Sequence, residues 1–226
     1  MNVKINCTHK LFFRLILMIL SSNWLALKSK VATEPMKRPR KEIADSEQVR
    51  KLQKTQYTEY IAMDCEMVEG ESVEHMLARV SLVDYAGRAV YDAYVKPRET
   101  VIDYRTSITG LSKEILARRG EQFSKVRQRV LDLIKDKIVV GHAVHHDFEA
   151  LNIPFPAPSH IRDTCLYSKL RPPKRKTTPS LRLLADYWLD KKVQTDSHSS
   201  VEDARTAMML YKRFQNEWED SLKSIS

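Results

Sequence analysis

Residues 60–68, YIAMDCEMV, set two acids inside a run that is otherwise built for burial. Strand side chains alternate between faces, so Asp64 and Glu66 share one side while Met63, Cys65 and Met67 take the other. A chain with this segment must cover the apolar face of a sheet and also answer the charge on the opposite face, because an unpaired buried carboxylate is costly. Two solvated acids on a strand edge are the plain alternative, and the pair alone does not decide between the two.

Two distant stretches add weight to the first reading. Ile138, Val139 and Val140 form an apolar run closed by Gly141 and His142, a core strand entering a turn, after which Asp147, Phe148, Ala150 and Leu151 open a helix. Farther on, HSSVEDA starts another helix, with Ser199 or Ser200 as its cap and Glu202 and Asp203 in its first turn. Ala207, Leu210, Tyr211 and Phe214 follow at helical spacing from Asp203, which places that carboxylate on the stripe facing the core. His198 falls in the loop just before. Asp64, Glu66, Asp147 and Asp203 with His198 are enough to hold two divalent cations and to supply a general base. His142, His145 and His146 invite a zinc reading, but no cysteine pair or second histidine pair stands nearby at ligand spacing.

DCEMV at 64–68, GHAVHHD at 141–147 and HSSVEDA at 198–204 resemble, in order and context, the three motifs of the DEDDh 3′-to-5′ exonuclease superfamily. The chain is most similar to its RNA exonuclease 4 and interferon-stimulated 20 kDa exonuclease branch. That branch also shows LARVSLV (77–83), DYRT (103–106) and IRDT (161–164), and PSLRLL (179–184) leans toward its RNA exonuclease 4 side. The resemblance implies an α/β, ribonuclease H-like fold, a mixed β-sheet flanked by α-helices. It implies Asp64, Glu66, Asp147 and Asp203 as metal-site carboxylates for two Mg2+ or Mn2+ ions, and His198 as general base. The implied activity is 3′-to-5′ hydrolysis of single-stranded nucleic acid, RNA preferred, to nucleoside 5′-monophosphates, in RNA processing or turnover, rRNA processing included. By the same resemblance Arg105 lies where the terminal nucleotide is contacted, with Met67 and His142 bordering that pocket.

The residue chemistry agrees independently. Crowded carboxylates raise one another's pKa and need compensating cations. Magnesium favours oxygen ligands and keeps several waters, and a histidine with an ordinary pKa of about 6.5 can accept a proton near neutrality. A DNA-preferring exonuclease would use the same chemistry. A non-catalytic RNA-binding module would have little use for the histidine.

One departure stands out. The branch usually follows DCEMV with a glycine and then a glycine-proline turn, whereas this chain has Glu69, Gly70 and Glu71. Strain at Glu69 is expected where glycine would be at ease, together with negative charge where nucleic acid should approach.

Of the 38 Lys and Arg and 29 Asp and Glu in 226 residues, residues 1–56 hold twelve and four, leaving 26 and 25 for the remainder. The net charge of +9 is therefore a property of the leader, which can hold phosphate backbones without sequence preference or act as a nuclear signal around Lys37, Arg38, Arg40 and Lys41. A solvated disordered leader is the plainer alternative. Within an apolar segment at 11–27, the uncharged run 15–27 has signal-core length but is short for a bilayer span, so no stable membrane insertion is expected. Three cysteines suggest no disulfide framework. The expected address is the nucleus, with the nucleolus included, and the mitochondrion is the alternative.

The remainder reads as one α/β domain over residues 57–220, followed by a tail at 221–226. Val80–Val83 and Val90–Val95 should pair as a hairpin beside the acidic strand. Val126, Val130, Leu131 and Ile134 mark one helix, and Leu181, Leu184 and Trp188 another that begins at Thr178 or Pro179. Before it lie Lys169, Arg171, Lys174, Arg175 and Lys176, a basic loop read as a nucleic-acid contact rather than a merely solvated one.

Overall fold

The acid-bearing segment is the centre of the sheet. The structure, a computed structural model, describes residues 59–173 and 177–223; the basic leader, Lys174, Arg175, Lys176 and the last three residues of the tail lie outside them. Strand β1 (Tyr60–Gly70) pairs antiparallel with β2 (Met76–Asp84), which pairs antiparallel with β3 (Ala89–Tyr94). The expected hairpin turn joins β2 and β3. Gly87 N–H donates to the Asp84 carbonyl at 2.8 Å and holds φ at 81°, a left-handed angle that suits glycine.

A short strand β4 (Val101–Asp103) pairs antiparallel with the far end of β1. On its other side β1 pairs parallel with β5 (Ile138–Gly141), and β5 pairs parallel with β6 (Ile161–Asp163). The six strands run β3-β2-β1-β5-β6, with β4 off that path.

Helices α1 (Thr106–Thr109), α2 (Lys113–Arg119) and α3 (Phe123–Ile134) precede β5; α4 (His145–Ala150) links β5 to β6, and α5 (Leu181–Leu189) and α6 (Ser200–Lys223) follow. Helix α3 buries Val126, Val130 and Ile134, one stripe at four-residue spacing. These residues and Phe148 of α4 join Ile61, Met63 and Cys65 of β1 in one core. The opposite face carries Tyr60 and Ala62 into a second core with Leu181, Leu184, Ala207, Leu210 and Tyr211 of α5 and α6. The alternation read along β1 thus separates the two helical layers, and the α/β, ribonuclease H-like arrangement is the one observed.

Helix α5 starts at Leu181, two or three residues later than the sequence suggested. Ser180 accepts the Leu183 N–H at 3.3 Å, so a side-chain cap rather than Pro179 fixes the start. Strand β6 is fastened to α6 by Arg162, whose side chain is 4% exposed and donates to both Glu219 oxygens at 2.7 Å; Tyr211 donates its hydroxyl to Glu219 as well. Among the described residues no helix is long and apolar enough to cross a membrane.

Candidate active site

Strand β1 delivers Asp64 and Glu66 toward the start of α6, where Asp203 occupies the first turn. Ligand-capable oxygens of these three residues all lie within 4.8 Å of one another. The approach of α6 to the sheet is set by a buried hydroxyl pair, Ser81 of β2 and Ser200 of α6, 2.7 Å apart. Ser81 spends its single proton on Asp92 at 2.9 Å, so Ser200 is the donor across the pair. The Ser200 backbone N–H donates to the Glu66 carboxylate. Asp203 is held from the other side: Gln194 Nε2 donates to its Oδ2 at 2.8 Å, and His198 Nδ1 lies 3.8 Å from the same oxygen. The His198 side chain is 35% exposed, and its backbone N–H donates to the Ile108 carbonyl, which ties its loop to α1.

This cluster holds more negative charge than its surroundings answer. Burial, reinforced by Asp147, Asp203 and Glu66, lifts Asp64 well above the usual carboxylate range. Burial and then Asp203 push Glu66 up to about 8. Asp203 is raised by burial, even though the Gln194 hydrogen bond and His198 work against it. Arg79, opposite Glu66 in the β1–β2 register, opposes the shifts at Asp64 and Glu66, but its Nε and Nη2 donate to Asp92 at 2.8 and 2.9 Å. Glu66 Oε1 and Asp203 Oδ1 are buried with no hydrogen-bond donor. Buried acceptors without donors, on acids that repel, fit a hard divalent cation that takes oxygen ligands.

Asp147 stands apart from that trio. It is buried in the first turn of α4, and its carboxyl takes hydrogen bonds from the Cys65 thiol and backbone N–H. Burial raises it too, and its charge is the largest coulombic contribution to the shift at Asp64. The turn that presents it is built tightly. A Cβ on Gly141 would stand 2.8 Å from Val144 Cβ and 3.2 Å from the Met63 carbonyl oxygen. Ala143 adopts φ 55° and is held there by Asp163, whose carboxylate accepts the N–H groups of Ala143 (2.8 Å), Val144 (3.1 Å) and Cys165 (2.9 Å).

Asp163 and Gln194 are the site residues that residue-type reading missed. Asp163 had a weak signal, its place in the IRDT stretch shared with the resembled branch. Gln194 had none, since an amide in a polar loop follows no pattern.

The expected substrate residues sit on different elements. Met67 is half-buried and packs against the core under α3 and α4. Arg105 has φ 49°, and its guanidinium donates to Glu69 Oε2 and the Glu74 carbonyl and approaches His75 Nδ1, each at 3.2 Å. His142 Nδ1 lies 3.0 Å from Thr164 Oγ1, and its ring donates to the Pro179 carbonyl; burial lowers its pKa. Lys169 forms an ion pair with Glu217 of α6, and Arg171 is exposed.

The strain expected at Glu69 is not found. Neither Glu69 nor Glu71 has a positive φ, because β1 continues through Gly70 and a register shift against β4 absorbs the change of direction. His145 and His146 lie with ring centroids 3.9 Å apart at a 39° tilt, and among the described residues Asp64, Glu66 and Asp203 are the only group of histidine, cysteine or acidic side chains at metal-ligand spacing.

Comparison with known proteins gives a consistent picture. The Exonuclease (RNase_T) family model matches residues 61–211. RNA exonuclease 4 of Xenopus laevis is 43% identical over 171 residues, covering 74% of this chain and 40% of that protein. RNA exonuclease 4 of Homo sapiens is 43% identical over 166 residues, covering 72% and 38%. The chain therefore spans about 40% of the length of these curated relatives. Among solved structures, the Neurospora crassa Pan2 catalytic unit (protease and nuclease domain) superimposes with a TM-score of 0.62 at 27% identity, over 75% of this chain and 30% of that one. The Saccharomyces cerevisiae apo Pan2 pseudoubiquitin hydrolase-RNA exonuclease module in complex with A7 RNA gives 0.62 at 29%, over 73% and 29%.

Proposed function

The chain belongs to the Exonuclease (RNase_T) family, and from that premise we propose that it is a divalent-metal-dependent 3′-to-5′ exonuclease that hydrolyses single-stranded RNA to nucleoside 5′-monophosphates. The observation that carries this reading is the pair of donorless buried oxygens, Glu66 Oε1 and Asp203 Oδ1, in a cluster with Asp64. Asp64, Glu66 and Asp203 would hold one Mg2+ or Mn2+, and Asp147 with Asp64 a second. When bound, such ions acidify a coordinated water and offset the charge that develops on the attacking and leaving oxygens.

The chain's own groups supply the rest. His198 is exposed enough to meet water and is held in place through Ile108, so it takes the proton of the attacking water as general base. Arg105, Met67, His142 and the basic loop from Lys169 to Lys176 position the strand. RNA is favoured over DNA because the similar curated proteins are named RNA exonucleases and a Pan2 neighbour is in complex with RNA. The basic cluster around Lys37 to Lys41, outside the described residues, would act as a nuclear signal, and the resemblance to RNA exonuclease 4 extends the reading to rRNA processing.

The test is incubation of purified protein with 5′-labelled single-stranded RNA and DNA in Mg2+, Mn2+ or EDTA. Stepwise shortening from the 3′ end, released monophosphates, dependence on metal and loss of activity in Asp64→Ala and Asp203→Ala are expected. Shortening in EDTA, or near-normal turnover by either variant, overturns the reading.

A further inference from the structure

We infer that Gln194 is a positioning residue that orients Asp203 for the cation, an inference that rests on the metal-dependent reading above. Its Nε2 donates to Asp203 Oδ2 at 2.8 Å, while Asp203 Oδ1 is buried and has no donor. The torsion that turns a carboxylate about its own axis is broad and roughly two-fold, so packing alone sets it poorly. Pinning one oxygen fixes the plane of the carboxylate and with it the direction in which the donorless Oδ1 points.

The backbone shows that this placement is imposed. Gln194 adopts φ 55°, a left-handed conformation costing a residue other than glycine on the order of 1–3 kcal/mol, and such residues persist where the surroundings over-determine them. Its neighbour Val193 is 1% exposed and anchors the segment in the protein. Asp190, at the C-terminal cap of α5, is also left-handed, with φ 50°. The chain between α5 and α6 is therefore bent at both ends of a short stretch, and the outcome is an amide aimed at Asp203.

The choice of an amide has a chemical reason. A lysine or arginine at this point would neutralise Asp203 and compete with a metal, and a glutamate would add a further negative charge. An amide donates a hydrogen bond and carries no charge, so Asp203 keeps its full charge for the cation. His198 Nδ1 lies 3.8 Å from the same oxygen.

Two substitutions of the full chain test this. Gln194→Asn retains an amide and tolerates the left-handed backbone but is one methylene too short to reach. Gln194→Leu keeps similar bulk and removes the donor. Mn2+ uptake is followed by the loss of the free-ion paramagnetic resonance signal, without RNA, beside wild-type protein and Asp203→Ala. Outer-sphere partners of ligating groups typically contribute 10–100-fold to metal affinity, so both variants should bind Mn2+ roughly 10- to 100-fold more weakly than wild type. Their turnover should fall with little change in KM for RNA, and the metal-free melting temperature of Gln194→Asn should not fall. Wild-type uptake matched by both variants overturns the role of Gln194. Wild-type protein that takes up no Mn2+ overturns the metal-dependent reading itself, which is a separate result.

Discussion

The Arg105 guanidinium sits 3.2 Å from a Glu69 carboxylate oxygen, so the acid near the end of β1 is answered from within the chain. The same guanidinium donates to the Glu74 carbonyl, and both side chains of the pair are partly buried. An arginine expected to meet the terminal nucleotide is thus already occupied, by a residue that departs from the pattern of the resembled branch.

Releasing that arginine should tighten RNA binding. Glu69→Gln is expected to lower the apparent Kd for single-stranded RNA by roughly twofold to fivefold, in line with a solvent-screened ion pair worth up to about 1 kcal/mol. One more phosphate contact should steepen the slope of log affinity against log salt by about 0.7. Binding titrations across a salt series measure both. An unchanged affinity and slope would mean that Arg105 does not reach the RNA.

The metal-free protein should lose stability as pH rises. Glu66 goes from its ordinary 4.5 to about 8 in the folded state, and burial also raises Asp64, Asp147 and Asp203. A group whose folded pKa is raised binds its proton more tightly in the native state. Its stabilisation is complete below the unfolded pKa and is lost as pH rises through the folded value. Melting temperature in EDTA should therefore decline between about pH 5 and about pH 8, and the increment from saturating Mg2+ should grow over the same window. A flat EDTA profile with a pH-independent Mg2+ effect would contradict the assignment.

His198→Ala should separate proton transfer from metal binding. Turnover is expected to fall by about 10²- to 10⁴-fold, the usual contribution of a general base, with Mn2+ affinity close to wild type. Single-turnover cleavage and a Mn2+ titration on the same preparation decide it. A large loss of Mn2+ affinity would make His198 a ligand.

Glu219→Ala should be strongly destabilising, because it strands the buried Arg162. Breaking such a pair typically costs about 3–5 kcal/mol, whereas replacing both partners by apolar side chains can be nearly neutral. Denaturant unfolding of Glu219→Ala and of Arg162→Met/Glu219→Leu should show a large loss in the first and recovery in the second. Equal losses would show that the pair itself supplies the stability.

What could be read from the sequence was set by periodicity. Asp64 and Glu66 were placed on one face because alternation along a strand is strict, and Asp203 was placed inward because Ala207, Leu210 and Tyr211 share its helical stripe. The hairpin and the β5–α4 turn followed from the same logic. Features made by hydrogen bonds to individual polar side chains were not legible. Gln194 on Asp203, Asp163 on three amide groups and Glu69 on Arg105 leave no repeat in the chain. Asp147 lies between these cases: its place at the start of the helix after β5 was legible, but its attachment to Cys65 was not.

The Ser81–Ser200 hydroxyl pair joins positions 119 residues apart, and through it Glu66 receives the Ser200 N–H. Contacts this far apart in the chain form only after a large loss of chain entropy, so they arrive with the complete fold rather than ahead of it. A partly folded chain would hold the acids of β1 without the helix that completes them. A site assembled this way is incomplete until α6 has docked, and it is incomplete again as soon as α6 detaches. The proposed cleavage should therefore be lost on denaturation no later than the step at which α6 leaves the sheet.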